Sequence, residues 1–185
     1  NVDELDGGLP DGNPELSVAP NAIASVAYTS GSTGSPKGMV WNHEGVLDAV
    51  RRHTYVFRVC TQDRLVTFRP SLRGYLYALL NGAAYYPASL RGDAALGVAG
   101  WLMDEGITVF RAPVSTFRAF ASTLTSAEAF PHLRLVILFG EPVYGSDVEL
   151  YRMHFRGGAV LASTLGCSEF DDYAYFFVDE GSEIG

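Results

Sequence analysis

Short apolar runs alternate with amphipathic segments along most of the chain. The runs predict extended segments at residues 23–29, 39–41, 64–68, 83–86, 107–110, 133–139, 159–165 and 173–178. Apolar side chains at helical spacing predict helices after Asn42 and at residues 75–80, 94–104, 113–124 and 144–155. This alternation is typical of βαβ units, so we predict an α/β fold with a mostly parallel sheet and helices on both faces. The almost wholly apolar segment 133–139 is expected to be a buried parallel strand.

The beginning of the chain lacks this pattern. Residues 1–21 are acidic and rich in glycine and proline, and we interpret them as a lead-in to one domain formed by residues 22–185. The first residue is not Met, so we expect the chain to be a segment of a longer protein. No apolar stretch approaches the ~20 residues of a membrane-spanning helix, and no secretory leader is visible. We therefore expect a cytoplasmic protein without a membrane partner.

A polar, glycine-rich segment follows the first predicted strand. It reads Thr29-Ser30-Gly31-Ser32-Thr33-Gly34-Ser35-Pro36-Lys37-Gly38. Such a segment lets backbone N–H groups and hydroxyls converge on phosphate oxygens, and the lysine adds a positive charge. A flexible polar turn is the alternative interpretation. The P-loop of nucleotide triphosphatases is excluded, because that loop needs glycine before its lysine and Ser or Thr after it, where this chain has Pro36 and Gly38.

The charge and the remaining reactive residues exclude several other functions. A net charge of −8 without a basic run argues against a nucleic-acid partner. Two cysteines, Cys60 and Cys167, lack metal-site spacing, and we interpret both as reduced thiols. The four histidines lack HxxxH or HExxH pairing, so no protein-built metal cluster is predicted. The cluster Phe170-Asp171-Asp172-Tyr173 could form a divalent-metal site, but adjacent acids on a strand point in opposite directions, so we expect a solvated loop.

The glycine-rich segment resembles the phosphate loop of the adenylate-forming superfamily, which includes nonribosomal peptide synthetase adenylation domains, acyl-CoA synthetases and luciferases. Two later segments strengthen the resemblance. Ser163-Thr164-Leu165-Gly166-Cys167-Ser168-Glu169 is similar to the family's Asn-x-Tyr-Gly-Pro-Thr-Glu, and Phe139-Gly140-Glu141-Pro142 is similar to its Gly-Gly-Glu. The spacing of all three fits adenylation domains of peptide synthetases best. The resemblance therefore implies part of the large N-terminal subdomain of such a domain.

The resemblance also implies an activity. In this family, ATP and a carboxylic acid give an acyl-adenylate and pyrophosphate, and the acyl group passes to a thiol, usually the phosphopantetheine of a carrier-protein domain. Donors and cations offset the repulsion between the carboxylate and the phosphates. The C-terminal subdomain with the family's catalytic lysine is absent here. We therefore expect activity in a longer parent enzyme, with this chain alone inactive.

Site residues follow from the matched motifs. The predicted catalytic residues are Lys37, Ser168 at the α-phosphate and Glu169 as the ligand of Mg²⁺. The resemblance assigns nucleotide binding to Thr29, Ser30, Gly31, Ser32, Thr33, Gly34, Lys37, Gly140, Glu141, Pro142, Thr164, Leu165 and Gly166. Leu165 replaces the aromatic residue that packs on adenine in the family, so the stacking energy, about 1 kcal/mol, would be lost. Cys167 replaces a proline, and we expect it to be a small buried thiol rather than a nucleophile.

The implied substrate pocket has an unusual composition. Its members would be Arg69, Pro70, Arg73, Arg111, Ile137, Phe139, Thr164, Asp172 and Tyr173. Arg69 aligns with the aspartate that pairs with the α-ammonium group in amino-acid-activating relatives, and a guanidinium repels an ammonium. We therefore expect a substrate other than a plain α-amino acid, such as an acid with extra carboxylate, phosphate or hydroxyl groups. In the alternative, the three arginines pair with Asp171, Asp172 or Glu141.

Two other functions stay open beside peptide-synthetase adenylation. One is a stand-alone acyl-CoA or acyl-carrier ligase, which the presence of a carrier module in the parent would distinguish. The other is a non-catalytic nucleotide-binding scaffold. The intact loop and Glu169 argue against a scaffold, whereas Leu165 argues mildly for it.

Overall fold

The computed structural model describes residues 12–29, 36–90, 97–125, 128–155, 157–179 and 182. The elements are β1 Ile23–Thr29, β2 Lys37–Asn42, α1 His43–Phe57, β3 Arg64–Thr67, α2 Leu72–Leu79, β4 Ala84–Pro87, α3 Val98–Asp104, β5 Val109–Pro113, α4 Val114–Ala121, β6 Leu135–Phe139, α5 Gly145–His154, β7 Val160–Cys167 and β8 Asp171–Val178. None of the helices among these residues is long and apolar enough to cross a membrane.

Six strands form one sheet in the order β4-β3-β5-β6-β7-β8. All neighbouring pairs are parallel except β7 and β8. The predicted fold class, with a mostly parallel sheet and helices on both faces, is confirmed. Strands β1 and β2 form a separate antiparallel ribbon. The apolar pattern predicted both of these strands but not their separation from the main sheet.

Two hydrophobic cores cover the two faces of the sheet. The larger core lies under α3, α4 and α5, and its centre is a group of aromatic rings that includes Phe110, Phe117 and Phe155. The smaller core lies under α1 and α2. Val109 and Phe110 are adjacent and fully buried, yet they belong to different cores because side chains alternate between the faces of a strand. Arg111 therefore points to the same face as Val109, toward α1 and α2.

Local capping sets several element boundaries. The Asn42 side chain accepts a hydrogen bond from the Gly45 amide at 2.8 Å, which confirms the predicted start of α1. Helix α2 begins before the predicted residue 75, because Ser71 caps the Gly74 amide at 3.1 Å. Strand β5 begins later than the predicted residue 107, because the Ile107 amide donates to the Leu102 carbonyl at the end of α3.

The sheet changes its direction of winding at β3. From β3 the chain crosses to β4 on one side, and then returns to β5 on the other side of β3. In open α/β sheets, ligands bind in the crevice outside the carboxyl ends of the strands at such a switch point. We therefore expect a ligand to bind at the loops that follow β3, β5, β6 and β7.

The opposite edge of the sheet is held by a polar network around Asp63. Arg134 donates to both carboxylate oxygens of Asp63, at 2.9 and 2.7 Å. The Thr108 hydroxyl and the Cys60 amide donate to the same carboxylate at 2.7 and 2.9 Å. Burial alone would raise the pKa of Asp63, but these hydrogen bonds outweigh it and lower the pKa. The network joins the segments that lead into β3, β5 and β6.

We expect Asp63→Asn to lower the free energy of unfolding by about 2 kcal/mol, because it removes charge-assisted hydrogen bonds from a buried acceptor. The folded-state pKa lies below the unfolded value of about 3.9, so this contribution is complete above that pH and is lost as the pH falls further. Urea denaturation at pH 7 and below pH 4 measures the difference. Asp48→Asn, in the exposed pair with Arg52, is the matched control and should change stability by less than about 0.5 kcal/mol. Equal effects of the two substitutions would contradict the role of the network.

Candidate functional site

The loop after β6 is anchored to two helices. Gly140 adopts a left-handed conformation with φ of 82°, which favours glycine. Glu141 accepts hydrogen bonds from the Ser115 hydroxyl at 2.6 Å and from the Ser115 amide at 3.2 Å, at the start of α4. Arg118 donates to the Pro142 carbonyl at 3.3 Å and to both oxygens of the buried Asp147 in α5. The three residues predicted to line the adenine side are therefore held in place at the carboxyl edge of the sheet.

The turn between β7 and β8 is held by donors from three other elements. Trp41 Nε1 in β2 donates to the Ser168 carbonyl at 3.2 Å, and Arg73 in α2 reaches the same oxygen at 3.5 Å. The Arg73 guanidinium also lies 4.5 Å from the centroid of the Trp41 ring. Arg52 in α1 donates to the Phe170 carbonyl at 3.4 Å. These contacts bring the β1–β2 ribbon against the turn that carries the predicted catalytic residues Ser168 and Glu169.

An open cleft of about 490 Å³ lies between the ribbon, the first turns of α1 and this turn. Its lining includes Trp41, Asp48, Arg52, Glu169 and Phe170. The Glu169 carboxylate is exposed and makes no hydrogen bond or ion pair with the described part of the chain. No group of three or more His, Cys, Asp or Glu side chains forms a metal site among the residues described. A single free carboxylate still fits Mg²⁺, which binds through one or two carboxylates together with substrate phosphates.

The phosphate loop is described only at its ends. Lys37 is exposed at the start of β2, where it pairs with Thr29 of β1. The predicted phosphate-binding residues Ser30, Gly31, Ser32, Thr33 and Gly34 lie outside the described residues, and so does the Thr29 side chain. The ribbon therefore places the two ends of the loop side by side.

A buried polar cluster lies between the sheet and helices α1 and α2. The Tyr77 hydroxyl donates to Asp171 Oδ2 at 2.8 Å, and Arg73 forms an ion pair with Asp171 Oδ1 at 3.4 Å. The His53 ring stacks on the Tyr77 ring with centroids 3.8 Å apart. Burial and the positive charge of Arg111 lower the pKa of His53 well below its usual value, so the imidazole is neutral at pH 7.

Arg111 lies in the same cluster and is only 7% exposed. Its guanidinium lies 4.1 Å from the centroid of the Phe139 ring and 5.6 Å from that of Tyr77. Within this cluster, Arg111 Nε, Thr164 Oγ1, Asp172 Oδ2 and both ring nitrogens of His53 are buried without a hydrogen-bond partner among the described residues. Burial raises the pKa of Asp172, while Arg111, and more weakly the nearby Thr164 hydroxyl, oppose the rise. The cluster thus contains unused donor and acceptor capacity.

Two sequence comparisons and one structural comparison with known proteins identify the family of this chain. Residues 2–172 match the AMP-binding enzyme family. The chain belongs to the AMP-binding enzyme family. Within this family it is similar to the adenylation type of nonribosomal peptide synthetases, as the motif resemblance implied.

Curated relatives of this AMP-binding chain are very large proteins. Nonribosomal peptide synthetase inpB of Emericella nidulans is 31% identical over 156 residues, which are 82% of this chain and 6% of that protein. Surfactin synthase subunit 2 of Bacillus subtilis is 34% identical over 137 residues, which are 70% of this chain and 4% of that protein. The chain thus spans a small fraction of the curated relatives it matches.

Solved structures share the fold of this AMP-binding chain. VinN superposes with a TM-score of 0.74 at 22% identity, over 86% of this chain and 40% of VinN. The Vibrio cholerae adenylation domain AlmE superposes with a TM-score of 0.73 at 21% identity, over 90% of this chain and 32% of AlmE. The sheet and its helices are therefore those of adenylation domains.

The burial of Asp171 and Asp172 in this AMP-binding chain contradicts one prediction made from the sequence. Asp171 and Asp172 do not lie in a solvated loop, since they are only 6% and 7% exposed. Asp171 has a φ of 64°, which breaks the usual alternation at the start of β8. Gly166 lets both acids approach β7, because a Cβ there would lie 2.6 Å from Asp171 O and from Asp172 Oδ1. The expectation that Cys167 is buried is also wrong, since its thiol is exposed at the end of β7.

The other predicted pocket residues divide into three groups. Arg73 and Arg111 join the buried cluster, and Phe139 packs against Arg111. Ile137 is fully buried in the smaller core. The exposed members are Arg69, Pro70, Tyr173 and the nucleotide-side residue Leu165. The alternative in which arginines pair with the acidic residues thus holds for Arg73 alone among the three, within the described structure.

Four residues of the site were missed by the sequence interpretation: Trp41, Arg52, His53 and Tyr77. Each belongs to a segment whose apolar or polar pattern signals only a strand or a helix. The Trp41–Ser168 and Tyr77–Asp171 contacts join residues 127 and 94 positions apart. No local pattern marks such pairs, so only the folded chain identifies them.

Proposed function

We propose that this chain is the nucleotide-binding part of an adenylation domain. In a longer peptide-synthetase-like enzyme it would activate a carboxylic acid with ATP as an acyl-adenylate, for transfer to the phosphopantetheine thiol of a carrier-protein domain. The observation that carries this proposal is the convergence of three motifs. The Gly140–Pro142 loop and the Ser168–Glu169 turn follow the neighbouring strands β6 and β7 at the carboxyl edge of the main sheet, and the ribbon that carries the ends of the phosphate loop contacts that turn through Trp41.

Each group has a defined task in this proposal. Lys37, as a cation on the ribbon, would neutralise charge on the β- and γ-phosphates. The Glu169 carboxylate would hold Mg²⁺, which supplies charge neutralisation at the phosphates when it is bound. Ser168 would contact the α-phosphate from a turn that Trp41 and Arg73 fix in position. Preorganised groups of this kind lower the barrier because they need no reorganisation during the reaction.

The acid is determined by side chains of the pocket rather than by the fold. Structures with this fold have been solved with chemically different ligands: AlmE with glycyl-adenosine-5'-phosphate, VinN with L-aspartate and Klebsiella oxytoca NpsA with 3-hydroxybenzoyl-AMSN. Arg69 is exposed at the carboxyl end of β3, where an arginine opposes an α-ammonium group. This position supports a substrate other than a plain α-amino acid.

A stand-alone acyl-CoA or acyl-carrier ligase is the alternative enzyme. It would use the same adenylation chemistry but pass the acyl group to a free thiol instead of a linked carrier domain. Acyl transfer from the full-length parent to coenzyme A, compared with transfer to its own carrier domain, distinguishes the two.

Nucleotide binding can be tested directly on this chain, because Lys37 is its only lysine. We expect ATP with Mg²⁺ to protect Lys37 from acetylation by an N-hydroxysuccinimide ester, as measured by peptide mass spectrometry. Sodium chloride at the same ionic strength, in place of ATP, is the control and should leave the labelling of Lys37 unchanged. Equal labelling of Lys37 with and without ATP would contradict a nucleotide site at the ribbon.

Adenylation itself is tested by ATP–pyrophosphate exchange with the full-length parent. We expect Lys37→Ala to lower exchange by about 10- to 100-fold, since a charge-assisted hydrogen bond to phosphate contributes about 1.5–3 kcal/mol. The acid panel should include amino, keto, hydroxy, aryl, fatty and dicarboxylic members. ATP binding by the parent without exchange for any acid would favour a non-catalytic scaffold.

A further inference from the structure

On its sheet side, the buried polar cluster leaves three polar atoms without a hydrogen-bond partner in the described structure, in addition to the two ring nitrogens of His53 on α1. The three atoms on the sheet are Arg111 Nε on β5, Thr164 Oγ1 on β7 and Asp172 Oδ2 on β8. All three residues are less than 8% exposed. Buried polar groups are normally paired, and each exception calls for a partner. Because Arg111 lies beside β3 at the switch point, these atoms sit where the fold receives a ligand.

The charges of the cluster indicate what kind of ligand fits. Arg73 and Asp171 already form an ion pair with each other. Arg111 is then the remaining guanidinium and Asp172 the remaining carboxyl group, and no ion pair within 4.0 Å joins these two described residues. An anionic group at Arg111 would face two buried carboxylates, and a cationic group at Asp172 would face the guanidinium. An uncharged group avoids both repulsions.

The hydrogen-bonding capacity of these three atoms further limits the kind of ligand group that fits. Arg111 Nε can only donate, whereas the Asp172 carboxylate accepts and the Thr164 hydroxyl can do either. A partner for all three must therefore accept one hydrogen bond and donate another. Among uncharged side groups, a carboxamide and a hydroxyl do both.

We propose that the acid activated at this site carries an uncharged carboxamide or hydroxyl group, which accepts from Arg111 and donates to Asp172. This inference rests on the proposed adenylation function. It narrows the expectation from the sequence, because an extra carboxylate or phosphate would meet the buried Asp171 and Asp172. Of the acids expected from the sequence, those with an extra hydroxyl group still fit this site.

The test uses matched acids in ATP–pyrophosphate exchange with the unaltered full-length protein. One set without an α-amino group is succinamic acid, succinic acid and 4-methylpentanoic acid, and the corresponding α-amino set is asparagine, aspartate and leucine. Hydroxyl pairs are 3-hydroxybutyric with 3-methylbutanoic acid and 2-hydroxybenzoic with 2-methylbenzoic acid. Within each set the members have nearly the same shape, so differences report on charge and hydrogen bonding.

We expect the best set to show kcat/KM about 10- to 100-fold higher for its carboxamide or hydroxyl member than for its charged or apolar counterpart. A preference for the charged or apolar member would overturn this inference and leave adenylation intact. Equal rates within a set would mean that water fills the cluster, which also overturns it. Exchange with none of the acids would contradict the proposed function itself, and this inference with it.

A substitution at Asp172 tests whether the buried cluster causes the preference for the carboxamide. Asp172→Asn retains the shape but replaces the carboxylate, so we expect it to reduce the preference for the carboxamide over its carboxylate counterpart by at least about tenfold. Asp104→Asn, at the exposed end of α3, is the matched control and should leave the preference unchanged. An unchanged preference in a folded Asp172→Asn protein would assign the recognition elsewhere. If Asp172→Asn does not fold, the panel with the unaltered protein decides alone.

Discussion

Replacing Glu169 by glutamine is expected to lower ATP–pyrophosphate exchange by the full-length parent by about 10²- to 10³-fold. The substitution preserves the size of the side chain but removes its charge. Glu169 borders the cleft beside the ribbon and makes no ion pair with the described residues, so its carboxylate is free to bind a cation. In the proposed site, loss of that charge would weaken Mg²⁺ binding, and the phosphates would then repel the attacking carboxylate more strongly.

A Mg²⁺ titration gives this prediction a second measurement. If Glu169 holds the ion, half-maximal exchange in the variant should require a higher Mg²⁺ concentration. Glu149→Gln removes the same charge from the exposed side of α5 and should keep exchange within about twofold of the unaltered protein. An unchanged Mg²⁺ requirement for Glu169→Gln would remove Glu169 from the metal site.

Substituting Gly166 by alanine is expected to lower exchange by about 100-fold and to destabilise the fold by about 1–3 kcal/mol. A Cβ at this position would lie 2.6 Å from Asp171 O and Asp172 Oδ1, whereas ordinary contacts begin at 3.4 Å. The neighbours include backbone, so β8 must move away from β7. The register of this pair already shifts between Leu165 and Gly166.

The displacement would carry Asp171 and Asp172 with it, and with them the ion pair to Arg73 and the bond to Tyr77. Exchange kinetics and urea denaturation measure the two effects separately. Gly100→Ala is the matched control, because a Cβ there meets nothing within 4 Å and alanine favours a helix. This control should stabilise the chain by up to about 1 kcal/mol. Normal exchange by Gly166→Ala would show that the β7–β8 contact does not position the site.

The local pattern predicted most elements well, and its errors have local causes. A strand buried on both faces is apolar along its whole length, so the apolar segment 133–139 correctly predicted a parallel strand, which is β6. Asn42 correctly predicted the start of α1, because capping involves residues three positions apart. The prediction that Asp171 and Asp172 lie in a solvated loop was wrong. Their burial depends on Gly166 of a neighbouring strand and on Tyr77 of a distant helix.

The sequence by itself determined the α/β class, the phosphate-loop motif and the family resemblance, because periodicity and short motifs are properties of neighbouring residues. Only the tertiary structure decided which charges meet. Arg73 pairs with Asp171 while Arg111 is left with an unpaired Nε, although the chain order distinguishes neither arginine. The physical reason is that strand order and helix packing set these distances, and electrostatic and hydrogen-bond energies depend on distance in space rather than along the chain.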